Sequence, residues 1–182
     1  IGPFTFNAIR CVLGGMVLIP VILVLKKKKE TGTENQEKED KKTLWMGGIA
    51  CGVILCIASN LQQFGIMEAS VGKSGFFTAL YIVMIPIIGI FIGKRPEIKL
   101  WFCVALAVVG MYLLCMKDGS FTIERADIML LLCALAFSFH ILVVDYFSPK
   151  VDGVKMSCIQ FFVCGVLSAV GMLFTCLLYT SP

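Results

Sequence analysis

The chain has 182 residues, 58% of them hydrophobic and 15% charged, with a mean hydropathy of +0.91 and a formal net charge of +4. A soluble domain is about 45–50% apolar and about 25% charged, so a soluble protein of this composition could not cover its own surface, and disorder needs the opposite bias. The positive charge does not indicate a nucleic-acid partner, because twelve of the twenty-eight charges crowd into Lys26–Lys42 instead of lying along a basic face.

The rest divides into six apolar segments at about 4–25, 44–66, 74–93, 100–116, 127–146 and 155–175. Each is roughly 17–25 residues, the length of helix that crosses a bilayer. Barrel strands would be about ten residues with alternating polarity, and these runs are continuous. The sequence therefore predicts an all-α polytopic bundle of six transmembrane helices, with the lipid bilayer as its first partner.

The first segment carries Arg10, on one helical face with Asn7 and Gly14. A charge inside the membrane is a functional hypothesis by default; the alternatives are a cavity or structural pairing role, or a side chain that snorkels to the nearer interface. The segment is too long for a cleavable leader, holds an arginine and lacks a cleavage-site pattern. It is followed by the charged stretch 26–43, read as a solvated loop.

The second segment sets Gly52, Cys56, Ser59 and Gln63 along one stripe, flanked by Asn60 and Gln62. Three readings stay open for these polar residues: the lining of a water-filled cavity, hydrogen-bond glue between helices, or a position near the outer interface. The third segment presents Ser74, Thr78 and Tyr81 on one face. Further along, Pro86 removes a backbone hydrogen bond and is a candidate hinge, although proline is also common in membrane helices. The fifth carries the one histidine, His140, on a face with Cys133 and Ala136, as a proton-coupled site or a hydrogen-bonded packing residue. Asp127 and Asp145 bracket this segment and are expected to have no special role. Gln160 in the sixth segment is a weaker cavity candidate. Gly48–Gly52 and Gly89–Gly93 are GxxxG pairs expected to let helices approach closely.

Twelve of the sixteen basic residues fall in the loops after the first, third and fifth segments or at their edges. The positive-inside rule makes those loops, including 26–43, cytoplasmic, in a multi-pass protein of a bacterial-type cell membrane. The nine cysteines all lie in apolar runs, form no CxxC pair and have no histidine cluster beside them, so they read as packing residues, with no metal site and no cofactor expected. HExxH, GxSxG, P-loop and GxGxxG patterns are absent, and no enzyme activity is expected.

Aligning Ile9 with Ile159 sets Arg10 against Gln160 and Gly15 against Gly165. The two segments lie five helices apart and cross in opposite directions, as an inverted repeat would. The run NLQQFGIMEASVGKSGFFTALYIVMIPIIGIFIGKRP, residues 60–96, closely resembles helices three and four of EamA-type permeases of the drug/metabolite transporter superfamily. GPFTFNAIRCVLGGMVLIP, residues 2–20, resembles their second helix, including the Pro-Phe-Thr-Phe start and the arginine. DIMLLLCALAFSFHILVVDYFSPKVDG, residues 127–153, resembles the start of their second repeat.

The resemblance implies a parent of ten helices in two inverted repeats of five. Residues 1–116 would be part of the first repeat and 117–175 the start of the second, so the chain would hold helices two to six and part of seven. Ile1 in place of Met fits an upstream piece, and CLLYTSP, residues 176–182, looks like the translation of a sequencing-library adapter. The implied function is secondary transport, by alternating access and often outward, of small metabolites, amino acids or drug-like compounds. Asn60, Gln63, Ser74, Thr78, Tyr81 and His140 would lie nearest the cavity, and Arg10 matches the family's arginine. The partners are the bilayer and a small-molecule substrate, with a homodimer as an optional assembly. The lysine-rich insert has no counterpart that can be assigned. The competing readings are a non-transporting membrane assembly subunit and, third, a membrane-embedded transferase.

Overall fold

The computed structural model describes residues 2–31, 41–93, 98–115 and 125–180. All its regular elements are helices: α1 Pro3–Thr31, α2 Lys41–Glu68, α3 Val71–Ala79, α4 Tyr81–Phe91, α5 Ile98–Cys115, α6 Arg125–Phe147 and α7 Gly153–Thr180. Five spans are long and apolar enough to cross a membrane: Pro3–Leu25, Lys41–Glu68, Val71–Phe91, Arg125–Phe147 and Gly153–Thr175, with Ile98–Gly110 a shorter apolar helix. The expected polytopic helical architecture is observed.

Two boundaries depart from expectation at the charged stretch. Helix α1 continues to Thr31 and α2 begins at Lys41, so the expected loop 26–43 is narrowed at both ends, and 32–40 lie outside the described residues. Lysine and glutamate are good helix formers, so the helix does not end where the apolar run ends. Helix α7 likewise runs past the expected 175, to Thr180.

The third span is two helices instead of one. The Leu80 amide donates to the Phe77 carbonyl at 3.2 Å, three residues back, and the Val83 and Met84 amides both reach the Leu80 carbonyl at 3.0 Å. Leu80 keeps right-handed angles, φ −59° and ψ −19°, so the chain tightens through a 3₁₀-type turn without reversing. The expected hinge at Pro86 is not where the helix is interrupted. Helix α4 passes through Pro86, which is buried, and the interruption lies at Leu80. Upstream, Ser70 caps α3, its side chain accepting from the Lys73 amide at 3.4 Å. Downstream, Gly93 lies beyond α4 with φ +85° and open space around it. Gly93 therefore makes a left-handed turn, and the expected Gly89–Gly93 packing pair does not form along one helix; Gly89 alone is buried in α4.

Burial runs opposite to that of a water-soluble domain. The fully buried positions include Asn7, Ser59, Ser138 and Ser168, together with Cys51, Cys133 and Cys164, whereas Leu13, Val17, Val24 and Phe102 are all more than half exposed. In lipid no hydrophobic force pushes large apolar side chains inward, so small residues take the interfaces and polar groups pair there.

The chain forms two compact units, Ile1–Cys56 with Val143–Pro182, and Ile57–Leu142. In the first, α1 and α7 pack antiparallel along their length. Positions advance along α1 while they retreat along α7, from Phe4 against Gly171, through Asn7 against Ser168, to Gly15 against Phe162. Gly15 meets Phe162 and Gly165 meets Val12, so each glycine faces the residue three positions before the other. Helix α2 joins through Gly48 and Gly52: a Cβ on Gly48 would stand 2.5 Å from Ile159, and one on Gly52 2.7 Å from Val163 and 2.9 Å from the Gln160 carbonyl oxygen. Leu44, Cys51, Phe147 and Met156 fill the apolar cluster beside them. In the second unit, α3 and α4 pack on α5, and α2 meets α6 where Gly65 lies under Leu130.

Candidate functional site

The candidate residues fall into the two units as separate groups. Arg10 belongs to the first unit, and Asn60, Gln63, Ser74, Thr78, Tyr81 and His140 belong to the second.

In the second unit the N-terminal half of the broken span carries the polar face. Ser74 is buried, and its hydroxyl donates back to the Ser70 carbonyl at 2.9 Å. That internal bond satisfies the group without a partner helix. Thr78, one turn on, differs. Its Oγ1 is buried, yet it makes no hydrogen bond among the described residues. Buried hydroxyls in proteins almost always find a partner, and Thr78 stands two residues before the turn at Leu80.

Tyr81 opens α4 immediately after that turn. Its carbonyl accepts from Ser138 Oγ at 3.4 Å, while the same hydroxyl also donates to the Ala134 carbonyl at 2.8 Å. The Tyr81 ring tilts against Phe137, with centroids 6.3 Å apart. Helix α6 thus supports the break in two ways, through Ser138 on the backbone and Phe137 on the ring. Asn60 on α2 is 8% exposed, and Gln63, a turn later, is half-buried. His140 is half-buried on α6 and is engaged by neighbouring groups. Helix α6 reaches α2 at Gly65–Leu130, α3 at Lys73–Asp127 and the start of α4 at Tyr81–Ser138. It is the common neighbour of the candidate positions in this unit.

Asp127, expected to have no special role, is 2% exposed and pairs with Lys73 Nζ at 3.5 Å. The pair ties the first turn of α6 to the first turn of α3. An acidic residue in a helix's first turn also meets the positive end of its dipole. The sequence reading set Asp127 at the edge of its apolar segment and did not pair it with Lys73; their opposite charges, each at the start of a helix, were the available signal.

In the first unit Arg10 is exposed at its helix surface, but its guanidinium donates to Asn7 Oδ1 at 3.2 Å. Asn7 is wholly buried and donates from Nδ2 to Ser168 Oγ at 2.9 Å. The bond to Asn7 is a contact of the kind that a structural pairing role for Arg10 would use. The network continues to Cys56, whose sulfur lies 3.5 Å from Ser168 Oγ. Asn7 with Cys11, and Cys164 with Ser168, are both four-residue pairs. Their spacing was readable, their meeting across two distant helices was not. No group of three or more His, Cys, Asp or Glu side chains able to hold a metal ion occurs among the described residues.

A family model described as EamA, the EamA-like transporter family, matches residues 1–116. A curated protein of Archaeoglobus fulgidus named as an uncharacterized transporter is 27% identical over 174 residues, which are 95% of this chain and 50% of that protein. The chain thus spans about half the length of the curated relative it matches. No solved structure matches it significantly.

Proposed function

Because this chain belongs to the EamA-like transporter family, we propose that it supplies part of a secondary carrier that moves a small organic molecule across the membrane by alternating access. The chain is a multi-pass membrane protein by its family and its five apolar spans. The substrate class we assign is small metabolites, amino acids or drug-like compounds, moved outward. The direction and class come from the family resemblance. The basic residues gathered after the first, third and fifth of the six apolar segments support a cytoplasmic side at 26–43.

One observation carries the placement of the substrate site. Thr78 Oγ1 is a buried hydroxyl that makes no hydrogen bond among the described residues, beside an interruption at Leu80 in a membrane-spanning helix. Broken helices are tolerated at membrane depth where they line a cavity or are buried in protein, and carriers place their sites at such discontinuities. A substrate or an ordered water would complete the threonine's hydrogen bonding. Asn60, Gln63, Tyr81 and His140 supply further donors and acceptors in the same unit. Arg10 acts at a distance from the chemistry of binding, by fixing Asn7.

The test is flux of a panel of metabolites, amino acids and dyes in cells making the complete gene product. Gln63→Leu and Tyr81→Phe should change uptake or efflux several-fold while membrane insertion persists. Unchanged flux in both variants removes these residues from the site. Stable copurification with a partner, and no flux from the intact protein, would favour the assembly-subunit reading.

A further inference from the structure

The α1–α7 seam holds two thiols that the transport reading leaves without a task. Cys11 Sγ and Cys164 Sγ lie 3.3 Å apart, and the two residues are 1% and 0% exposed. Small residues bring the helices together here: a Cβ on Gly165 would stand 3.6 Å from the Cβ of Cys11. Asn7 holds both sulfurs in place, with Oδ1 at 3.7 Å from Cys11 Sγ and Nδ2 at 3.8 Å from Cys164 Sγ. Its own orientation is fixed by Ser168 and Arg10, at 2.9 and 3.2 Å. A disulfide bond is about 2.05 Å long, so the sulfurs need approach by only about 1.2 Å.

We propose that Cys11 and Cys164 form a redox-responsive pair that closes into an intramolecular disulfide under peroxide, covalently tying α1 to α7. A small membrane-permeant peroxide supplies the oxidising equivalents. Hydrogen peroxide oxidises one thiol: an S–O bond forms, the O–O bond breaks, and water leaves with a sulfenic acid remaining on the protein. The neighbouring thiol then attacks that sulfur. The S–S bond forms, the S–O bond breaks, and a second water carries away the remaining proton and oxygen. Two thiols and one peroxide give one disulfide and two waters, and the peroxide takes up two electrons. The bond would join helices that the carrier reading assigns to opposite repeats. On that reading, and only on it, the oxidised protein stops cycling.

The experiment treats membranes containing the complete gene product with hydrogen peroxide, alkylates the remaining thiols, and maps linked peptides by mass spectrometry. The expected result is a Cys11–Cys164 linked peptide that dithiothreitol removes. It should fall at least tenfold in Cys11→Ser and in Cys164→Ser, and persist in Cys51→Ala, a control at an equally buried thiol. Both cysteines recovered fully alkylated from peroxide-treated wild-type protein would overturn the proposal. So would a linked peptide that joins either one to Cys56 instead. The wild-type measurement stands even if a variant fails to insert. Flux read in parallel separates the two claims: a linked peptide with flux lost and restored by dithiothreitol supports both. A linked peptide with undiminished flux supports the thiol pair and contradicts the requirement for α1–α7 movement.

Discussion

The seam between α1 and α7 and the broken span α3–α4 are both polar regions inside an apolar protein, and they treat their polar atoms in opposite ways. At the seam, Asn7 uses its amide oxygen and its nitrogen on Arg10, Ser168, Cys11 and Cys164. Beside the break, Thr78 keeps a buried hydroxyl with no hydrogen bond among the described residues. Hydrogen bonds within membrane proteins contribute only about 0.6 kcal/mol on average and at most about 1.7, so the seam's value is geometric as much as energetic. It holds two helices in one register. A buried hydroxyl left open has a cost, and such a cost persists where function needs it. On the proposed function, the contrast separates scaffold from site within one composition.

The largest effect should come from filling the glycine contact of the first unit. In Gly52→Val the new side chain meets Val163 and the Gln160 carbonyl oxygen, which is backbone and cannot swing aside. Overpacking of this kind costs about 1–3 kcal/mol and occasionally more, read as a lower melting temperature in detergent. Gly110→Ala, whose new Cβ would meet no described atom within 4 Å, should leave melting unchanged. Equal losses in both would deny that the close approach matters.

Next comes the pair at the start of α6. Lys73→Ala removes a cation from the buried Asp127 carboxylate, at a cost of about 2 kcal/mol, below the 3–5 kcal/mol of wholly buried pairs because Lys73 is partly exposed. The combined Lys73→Ala and Asp127→Ala variant should recover part of that loss in a melting experiment. Strictly additive losses would show that the two side chains act independently. Asn7→Ala should be milder, about 1 kcal/mol, and should leave substrate preference as it was; a shifted preference would move the seam into the site. Thr78→Val, which keeps the shape and removes only the hydroxyl, should leave melting unchanged or raise it slightly, because the buried hydroxyl it removes makes no hydrogen bond among the described residues.

Most of the architecture was legible because membrane helices announce themselves by length and continuity, and all six apolar segments became helices. The ends were less legible. Lys26–Thr31 continues α1, since charge does not oppose helix outside the apolar run. The break at Leu80 left no sequence mark, because leucine is a good helix former; Pro86, which did carry a mark, lies inside an unbroken helix. The same holds for the polar residues. Spacing put Ser74, Thr78 and Tyr81 on one face, but it could not tell that Ser74 satisfies itself on Ser70 while Thr78 does not. Nor could it pair Asn7 with Ser168 or Cys11 with Cys164, since those contacts join residues about 150–160 positions apart.

The most direct measurement is substrate flux and melting temperature for Thr78→Val in the complete gene product, made side by side. With a substrate site at the broken helix, the melting temperature stays the same or rises slightly while flux or apparent KM changes several-fold. Unchanged flux, or a flux lost only in proportion to lost folding, would contradict a substrate site at the broken helix.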